Sequence, residues 1–260
     1  MIEITTEQET REKIAKTEWF QRWFNSPYYH LLYQNRDENE AKKFIDRLLD
    51  ELKPVANTAV LDLACGKGRY SRYLAEKGFY VTGLDIAEES IRYAQQFENE
   101  HLSFFQHDMR LPYRINYFDY IFNFFTSFGY FETEKDHLKT VVNIAKGLRP
   151  EGKFVLDFFN SKKVIQNLKY EETKQVGTVV FHIHRSVDEQ GYILKNIQFD
   201  DNGKHFDFTE KVRAFNIEAF IELFAKAGLK IAKTFGCHEL STFDEATSER
   251  LILVGCKAGC

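Results

Sequence analysis

Val60-Leu-Asp-Leu-Ala-Cys-Gly-Lys-Gly-Arg69 is a short apolar run that carries an acid at its third position and ends in a Gly-x-Gly turn. Glycine reaches backbone conformations closed to other residues, and it lets a ligand approach the main chain. Gly66 and Gly68 therefore predict a turn that lies against a bound molecule. A buried strand over 59–64 precedes the turn and a helix over 69–77 follows it, which is the setting of a nucleotide-binding loop.

Strand and helix signals alternate on both sides of this loop. Apolar residues recur at helical spacing over 41–52, after 88, over 138–148 and after 217. The remaining apolar runs predict strands over 80–85, 101–106, 117–125, 153–159, 229–235 and 251–256. This order predicts an α/β fold, with a doubly wound, mostly parallel, seven-stranded Rossmann-like sheet covered by helices on both faces.

Two segments lie outside the alternating pattern. Before it comes a helical N-terminal preface, in which Ser26 and Pro27 mark a helix start. After the fifth strand, extended segments over 178–187, 192–199 and 206–213 are separated by turn sequences, which predicts an inserted antiparallel β meander. We expect a helical cap over 1–57, a core over 58–160 and 214–260, and the insert over 161–213.

Composition narrows the class of protein. The 260 residues carry a formal net charge of -4, which offers no bulk attraction to nucleic acid. The four cysteines form no paired framework, and the amino terminus is acidic where a signal peptide would be basic and then apolar. No apolar run approaches the roughly 18 residues of a spanning helix. We expect a cytoplasmic protein, a monomer or homodimer, without membrane contact and with nucleic acid disfavoured as a partner.

The glycine turn is open to three interpretations. A phosphate-binding Walker loop ends in Gly-Lys-Ser/Thr, but here Lys67 stands between the glycines and Gly68 follows it. A dinucleotide loop has a small residue three positions after its second glycine, which Ser71 satisfies weakly. Asp62 opposes that interpretation, because an acid in this strand repels a pyrophosphate and favours a cationic or zwitterionic ligand. An NAD-dependent oxidoreductase remains an alternative.

The segment Asp62-Leu-Ala-Cys-Gly66-Lys-Gly68 resembles the first motif of the class I S-adenosylmethionine-dependent methyltransferases. The resemblance implies that Asp85, which closes the second strand, binds the ribose hydroxyls, since a carboxylate accepts two such hydrogen bonds. It also places Asp108 near the adenine amino group. The further cofactor contacts that it implies are Ala64, Ile86, Met109, Asn123, Phe124 and Phe125, the last three in a loop that faces the methionine portion.

In this family a helical preface commonly closes over the ligand. Tyr28 and Tyr33 are candidate cofactor contacts because the face of a tyrosine ring attracts a sulfonium. Arg36 is a candidate partner for the methionine carboxylate. The aromatic residues before them are interpreted as packing of the preface onto the sheet, and they are Trp19, Phe20, Trp23 and Phe24.

The resemblance implies direct displacement, in which a lone pair on N or O of a small-molecule acceptor attacks the sulfonium methyl. Aligning the two reactants supplies most of the acceleration, and a base is needed only if the nucleophile loses a proton. Tyr28, His30 and His182 are the candidate bases, and residues 161–213 are expected to cover the acceptor pocket. No metal is expected, because His182 and His184 have only the remote His205 as a third ligand. Alternatives are a non-catalytic S-adenosylmethionine-binding protein and a methyltransferase acting on protein or RNA.

Overall fold

The computed structural model describes residues 18–34 and 38–257 of the chain, which build two β-sheets. Seven strands form the larger sheet in the order β10-β11-β5-β4-β1-β2-β3, and the smaller sheet has the order β6-β7-β8-β9. The strands are β1 Ala59–Leu63, β2 Tyr80–Asp85, β3 Leu102–Gln106, β4 Phe118–Asn123, β5 Leu148–Phe159, β6 Glu171–Val176, β7 Val179–Val187, β8 Tyr192–Asp201, β9 Lys204–Arg213, β10 Leu229–Phe235 and β11 Arg250–Lys257.

The larger sheet confirms the predicted mostly parallel, doubly wound arrangement. Strands β3, β2, β1, β4 and β5 pair in parallel, whereas β11 pairs antiparallel with both β5 and β10. All five residues of β1 are buried, as expected for a central strand covered on both faces. Strands β2 and β3 lie on one side of β1, whereas β4 and β5 lie on its other side. Ligands are expected at this switch point between β1 and β4, at the carboxyl ends of the strands.

Helices cover both faces of this sheet. One apolar core, with Phe44 and Leu74, lies under α3, α4 and α5, and the other, with Ile144 and Phe220, lies under α6 and α8. In chain order the described α-helices are α1 Trp19–Phe24, α2 Pro27–Leu32, α3 Glu38–Leu52, α4 Arg69–Glu76, α5 Glu88–Ala94, α6 Glu134–Gly147, α7 Ser161–Gln166 and α8 Ile217–Lys226.

The preface packs on the smaller sheet. Trp23 of α1 and Leu32 of α2 share a buried cluster with Phe181, Ile197 and Phe199 of that sheet. Helix α2 begins where the sequence predicted, with the Ser26 side chain accepting a hydrogen bond from the backbone of Tyr28. The insert and the preface are therefore joined by a common apolar core.

The structure extends the sequence-based prediction in two places. The insert has a fourth strand, β6, whose exposed polar side chains give no apolar pattern because it is an edge strand paired only with β7. In the larger sheet, β4 ends at Asn123, two residues before the predicted end. Phe125 and Thr126 both have φ of 59°, a left-handed conformation that ends the strand.

One buried histidine of the core has a shifted pKa. His137 of α6 is fully buried, with the rings of Phe128, Phe131 and Phe215 centred 5.0 to 5.5 Å from its own. Burial among these rings lowers its pKa from 6.5 to about 4, because the charged imidazolium loses its hydration there. His137 is therefore held neutral in the folded protein.

The unfolded chain binds a proton at His137 near pH 6.5 and the folded chain only near pH 4, so stability is lost as the pH falls through this window. We expect the free energy of unfolding, relative to that of His137→Leu, to fall by about 2 kcal/mol between pH 7 and pH 4.5. Urea unfolding at a series of pH values measures it. His184→Leu, at an exposed position, is the matched control. If the difference in free energy of unfolding between wild type and variant is independent of pH for His137→Leu as well as for the control, the expectation is contradicted.

Candidate functional site

A cavity of about 560 Å³ opens at the carboxyl ends of the parallel strands, where the topology predicts a ligand site. Its floor is formed by the loop between β1 and α4, the end of β2, the segment after β3 and the loop after β4. Its roof is formed by α1, α2 and the smaller sheet, through Glu210 and Val212 of β9. This volume is in the usual range for small-molecule sites.

Asp85 connects the glycine turn to the second strand. Its Oδ2 accepts a hydrogen bond from the backbone N–H of Gly66 at 2.7 Å, and its Oδ1 accepts one from Ala87 at 2.8 Å. Burial raises the pKa of Asp85, although these backbone hydrogen bonds oppose the shift. Each carboxylate oxygen has two lone pairs, so both keep an acceptor position for a ligand hydroxyl.

The two glycines of the turn have different roles. At Gly66, with φ of 55°, a Cβ atom would meet nothing within 4 Å, and the residue lines the cavity. At Gly68, with φ of 74°, a Cβ would lie 2.4 Å from the ring of the buried Phe104, and the residue is outside the cavity wall. Gly66 thus leaves room for a ligand, whereas Gly68 leaves room for the core.

Asp62 lies behind the turn and not in the cavity wall. It is fully buried, and its Oδ2 accepts a 2.5 Å hydrogen bond from the Ser71 hydroxyl. Burial and, to a smaller extent, the nearby Asp85 raise its pKa to about 7, although the hydrogen bond from Ser71 opposes the shift. The predicted direct contact with a ligand is not what the structure shows, because Ser71 of α4 and the turn itself separate this acid from the cavity.

Asp108 and Met109, the predicted adenine contacts, line the cavity after β3. The Asp108 carboxylate is paired with Arg110, whose Nη2 lies 2.6 Å from its Oδ2. Burial raises the pKa of Asp108, but the hydrogen bonds from Arg110 outweigh it and lower the pKa overall. Arg110 also donates to Glu18, just before α1. Sequence analysis did not identify Arg110, which ties the preface to the floor of the cavity.

A buried ion pair holds the loop after β4. Asp157 of β5 has no exposed surface, accepts a 2.8 Å hydrogen bond from the backbone of Phe125 and pairs with Arg250 at 2.7 Å. Burial raises the pKa of Asp157, but Arg250, His238 and the backbone of Phe125 together outweigh burial and lower the pKa. Arg250 also donates to Thr126. These contacts offset the strain of the left-handed loop, which would otherwise cost about 1–3 kcal/mol per residue.

Of the other residues predicted to contact the cofactor, some line the cavity and one lies behind its wall. Phe124, Phe125, Ala64 and Ile86 line the cavity. Asn123 does not, because it is buried and its side-chain amide donates to the carbonyl of Leu63 at 2.9 Å. Asn123 thus joins β4 to β1 beneath the loop, and it is a support of the wall and not a part of it.

The structure brings one of the three candidate bases, His30, into the cavity wall. Tyr28 points into the insert, where its hydroxyl donates to Asp201 at 2.7 Å, and this hydrogen bond raises its pKa. His182 is exposed on β7. Tyr28 therefore does not line the cavity, because its side of α2 packs on the inserted sheet, which local spacing in the sequence does not reveal. Tyr33 lines the cavity, and Arg36 lies outside the described residues.

Two kinds of feature are absent from residues 18–34 and 38–257. None of the helices in these ranges is long and apolar enough to cross a bilayer. The same residues contain no group of three or more His, Cys, Asp or Glu side chains placed to hold a metal ion. The cytoplasmic location and the oligomeric state stay predictions.

Known proteins that are similar to this chain in sequence or in fold are methyltransferases. A family model described as a methyltransferase domain matches residues 60–152. The chain is 31% identical over 204 residues to "Putative methyltransferase YqeM" of Bacillus subtilis, covering 74% of this chain and 81% of that protein. It is 25% identical over 213 residues to a dTDP-3-amino-3,4,6-trideoxy-alpha-D-glucopyranose N,N-dimethyltransferase of Streptomyces venezuelae, covering 78% of this chain and 89% of that protein.

Among solved structures, the fold is similar to that of an S-adenosylmethionine-dependent methyltransferase from Clostridium acetobutylicum. The TM-score is 0.75 at 22% identity, and the match covers 89% of this chain and 96% of that one. The match therefore extends beyond the parallel sheet and its helices.

We expect Gly68→Ala to destabilise the protein more than Gly66→Ala. Both substitutions place a side chain at positive φ, which costs about 1 kcal/mol, but only the methyl group at position 68 also meets a buried ring, at a further cost of roughly 2 kcal/mol. Thermal unfolding of the two variants measures the difference. Equal melting temperatures would contradict the separate roles of the two glycines.

We expect Asp62→Asn to stabilise the protein at neutral and alkaline pH. The folded pKa is about 7 and the unfolded pKa 3.8, so the aspartate's contribution to stability is present below pH 4 and lost as the pH rises through 7. Relative to the variant, the wild-type free energy of unfolding should fall by about 3 kcal/mol between pH 4 and pH 8. Asp200→Asn, at an exposed position, serves as control. A pH-independent difference for Asp62→Asn would contradict the assigned pKa.

Proposed function

The chain belongs to the S-adenosylmethionine-dependent methyltransferases, and on that premise we propose that it transfers the methyl group by direct displacement to a nitrogen or oxygen of a small molecule. The observation that carries the proposal is the roof over the cavity. Helices α1 and α2 and strand β9 lie above the floor where the glycine turn and Asp85 are placed. A small acceptor fits beneath such a roof, whereas a protein or RNA chain needs an open groove.

The floor of the cavity suits the adenosine half of the methyl donor. The open space beside Gly66 admits a ligand against the main chain, and the free acceptor positions of Asp85 suit two ribose hydroxyls. Asp108 and Met109 are then placed for the adenine. Ala64, Ile86, Phe124, Phe125 and Tyr33 complete the proposed contacts, with Asp62, Gly68 and Asn123 acting as supports behind them.

The roof half of the cavity suits the acceptor. Phe20, Phe24 and Tyr29 of the preface line it together with Phe125 and Tyr130 from the segment after β4, so the wall there is mostly aromatic. S-adenosylmethionine supplies an activated methyl group, and the chain's share of the chemistry is to align the acceptor and exclude water. In this proposal residues 1–57 and 161–213 act as cap and acceptor cover, and 58–160 with 214–260 form the core.

Relatives support a small acceptor. The Streptomyces venezuelae relative is named for dimethylation of an amino sugar nucleotide, and the match to it covers 89% of that protein. An NAD-dependent oxidoreductase is excluded as the family of this chain by its membership of the methyltransferases. An assay of methyl transfer distinguishes an enzyme from a protein that binds S-adenosylmethionine without turnover.

Calorimetry with S-adenosylhomocysteine tests the cofactor half of the proposal. We expect Asp85→Ala to weaken binding at least about tenfold, since it removes two charge-assisted hydrogen bonds to the ribose and releases the Gly66 turn. Asp200→Ala, at an exposed position of β8, is the control. Unchanged affinity of the Asp85 variant would overturn the assigned binding mode.

The acceptor half is tested by transfer of a labelled methyl group to separated pools of metabolites, protein and RNA. We expect the label in the fraction of low molecular mass. Label in protein or RNA instead would overturn the small-molecule acceptor while leaving the cofactor site intact.

A further inference from the structure

A partly buried carboxylate lies in the roof of the cavity. Glu210 of β9 lines the cavity with only 16% of its side chain exposed. The Nε1 of Trp23 donates to its Oε1 at 2.7 Å, and the Tyr33 hydroxyl lies 2.8 Å from Oε1 and 2.9 Å from Oε2. Lys195, its direct cross-strand partner on β8, has its Nζ 3.7 Å from Oε2. The carboxylate is thus fixed in place by three different elements.

These contacts leave part of the carboxylate available. Oε1 receives two donors, whereas Oε2 shares one hydroxyl and is beyond hydrogen-bond distance of the Lys195 ammonium. An ionised carboxylate accepts about four hydrogen bonds. Burying a carboxylate with unused acceptor positions is costly, and a ligand that donates an N–H would offset that cost.

The surroundings favour a cationic ligand at this position. The roof half of the cavity is lined by aromatic rings, among them Phe20, Phe24 and Tyr130, whose faces attract cations. The lysine and arginine residues of the described cavity wall come from the glycine turn and α4, and they are Lys67, Arg69 and Arg72. Glu210 is therefore the acid that the described roof presents to a ligand, whereas the described roof contributes no lysine or arginine to the cavity wall.

We propose that Glu210 binds the acceptor's nucleophilic amino group and takes up its proton, so that the small molecule methylated by this protein is an amine. This inference rests on the proposed function. The bound ammonium gives one proton to the Glu210 carboxylate, and the freed nitrogen lone pair forms the new N–CH₃ bond. The C–S bond of S-adenosylmethionine breaks with its electron pair on sulfur. The products are the methylated ammonium, S-adenosylhomocysteine and one proton, which Glu210 releases to water.

Matched amines and alcohols test the acceptor class. Ethanolamine, D-glucosamine and benzylamine are each compared with the hydroxyl counterpart, namely ethylene glycol, D-glucose and benzyl alcohol, using labelled S-adenosylmethionine. We expect label in amines only. Methylation of an alcohol in preference to its amine, or of no amine while S-adenosylhomocysteine still binds, overturns the inference and leaves the cofactor site standing. If the wild-type protein does not bind S-adenosylhomocysteine, the proposed function is overturned instead.

Substitution of the carboxylate tests the residue. For the best amine of the panel, Glu210→Gln should lower kcat/KM about 100-fold, as expected for loss of a proton acceptor, and Glu210→Asp should restore part of it. The affinity for S-adenosylhomocysteine should change less than about twofold. Equal losses of amine turnover and S-adenosylhomocysteine affinity would assign Glu210 to the amino group of the methyl donor and overturn the inference.

Glu172→Gln is the matched control. Glu172 is a partly buried acid of the same sheet, paired with Arg185 at 2.6 Å and outside the cavity wall. Its substitution breaks an ion pair of the insert without touching the site, so its turnover should equal that of the wild type. An equal fall of kcat/KM in both variants would show that Glu210 acts only through the stability of the insert, which overturns the inference.

Discussion

The site depends on the partly buried carboxylate of Asp85, which accepts hydrogen bonds from two backbone N–H groups. One oxygen holds the glycine turn at Gly66, and the other holds Ala87 at the start of α5. A turn with left-handed residues has no strand or helix partners of its own, so its backbone groups need a fixed acceptor. The acid at the end of β2 supplies it, and the same acid remains open to a ligand on its other lone pairs.

Charged side chains likewise hold the other irregular segments around the cavity. Asp157 and Arg250 hold the loop at Phe125 from below, and Arg110 joins the cavity floor to Glu18 of the preface. In the roof, Glu210 is held by tryptophan and tyrosine donors from the preface. Buried charged groups are costly unless paired, and here each paired group also holds a loop or a preface segment that no strand ladder joins to it.

Much of the fold and of the cavity floor follows from the order of residues. Parallel strands and their helices have strong periodicity, and the spacing from Gly66 to Asp85 is set by one helix and one strand. The turn at Gly66 after β1 and the position of Asp85 at the end of β2 could therefore be predicted. Asp62 and Gly68 belong to the same motif but serve the core, because Ser71 and Phe104 fill the space beside them. The sequence also contains a signal for Asp157, because it is an acid within the apolar run of residues 154–159.

Taken alone, the sequence determined the parallel sheet, the position of the glycine turn and the methyltransferase family, because each depends on residues close together along the chain. The tertiary structure decided which side chains of the preface and insert face the cavity. Tyr28 turns to Asp201 and Tyr33 to Glu210, contacts that span 173 and 177 positions. A helical pattern shows that a face is apolar but not which distant sheet will cover it, so the acceptor half of the site emerges only when the preface and insert pack together.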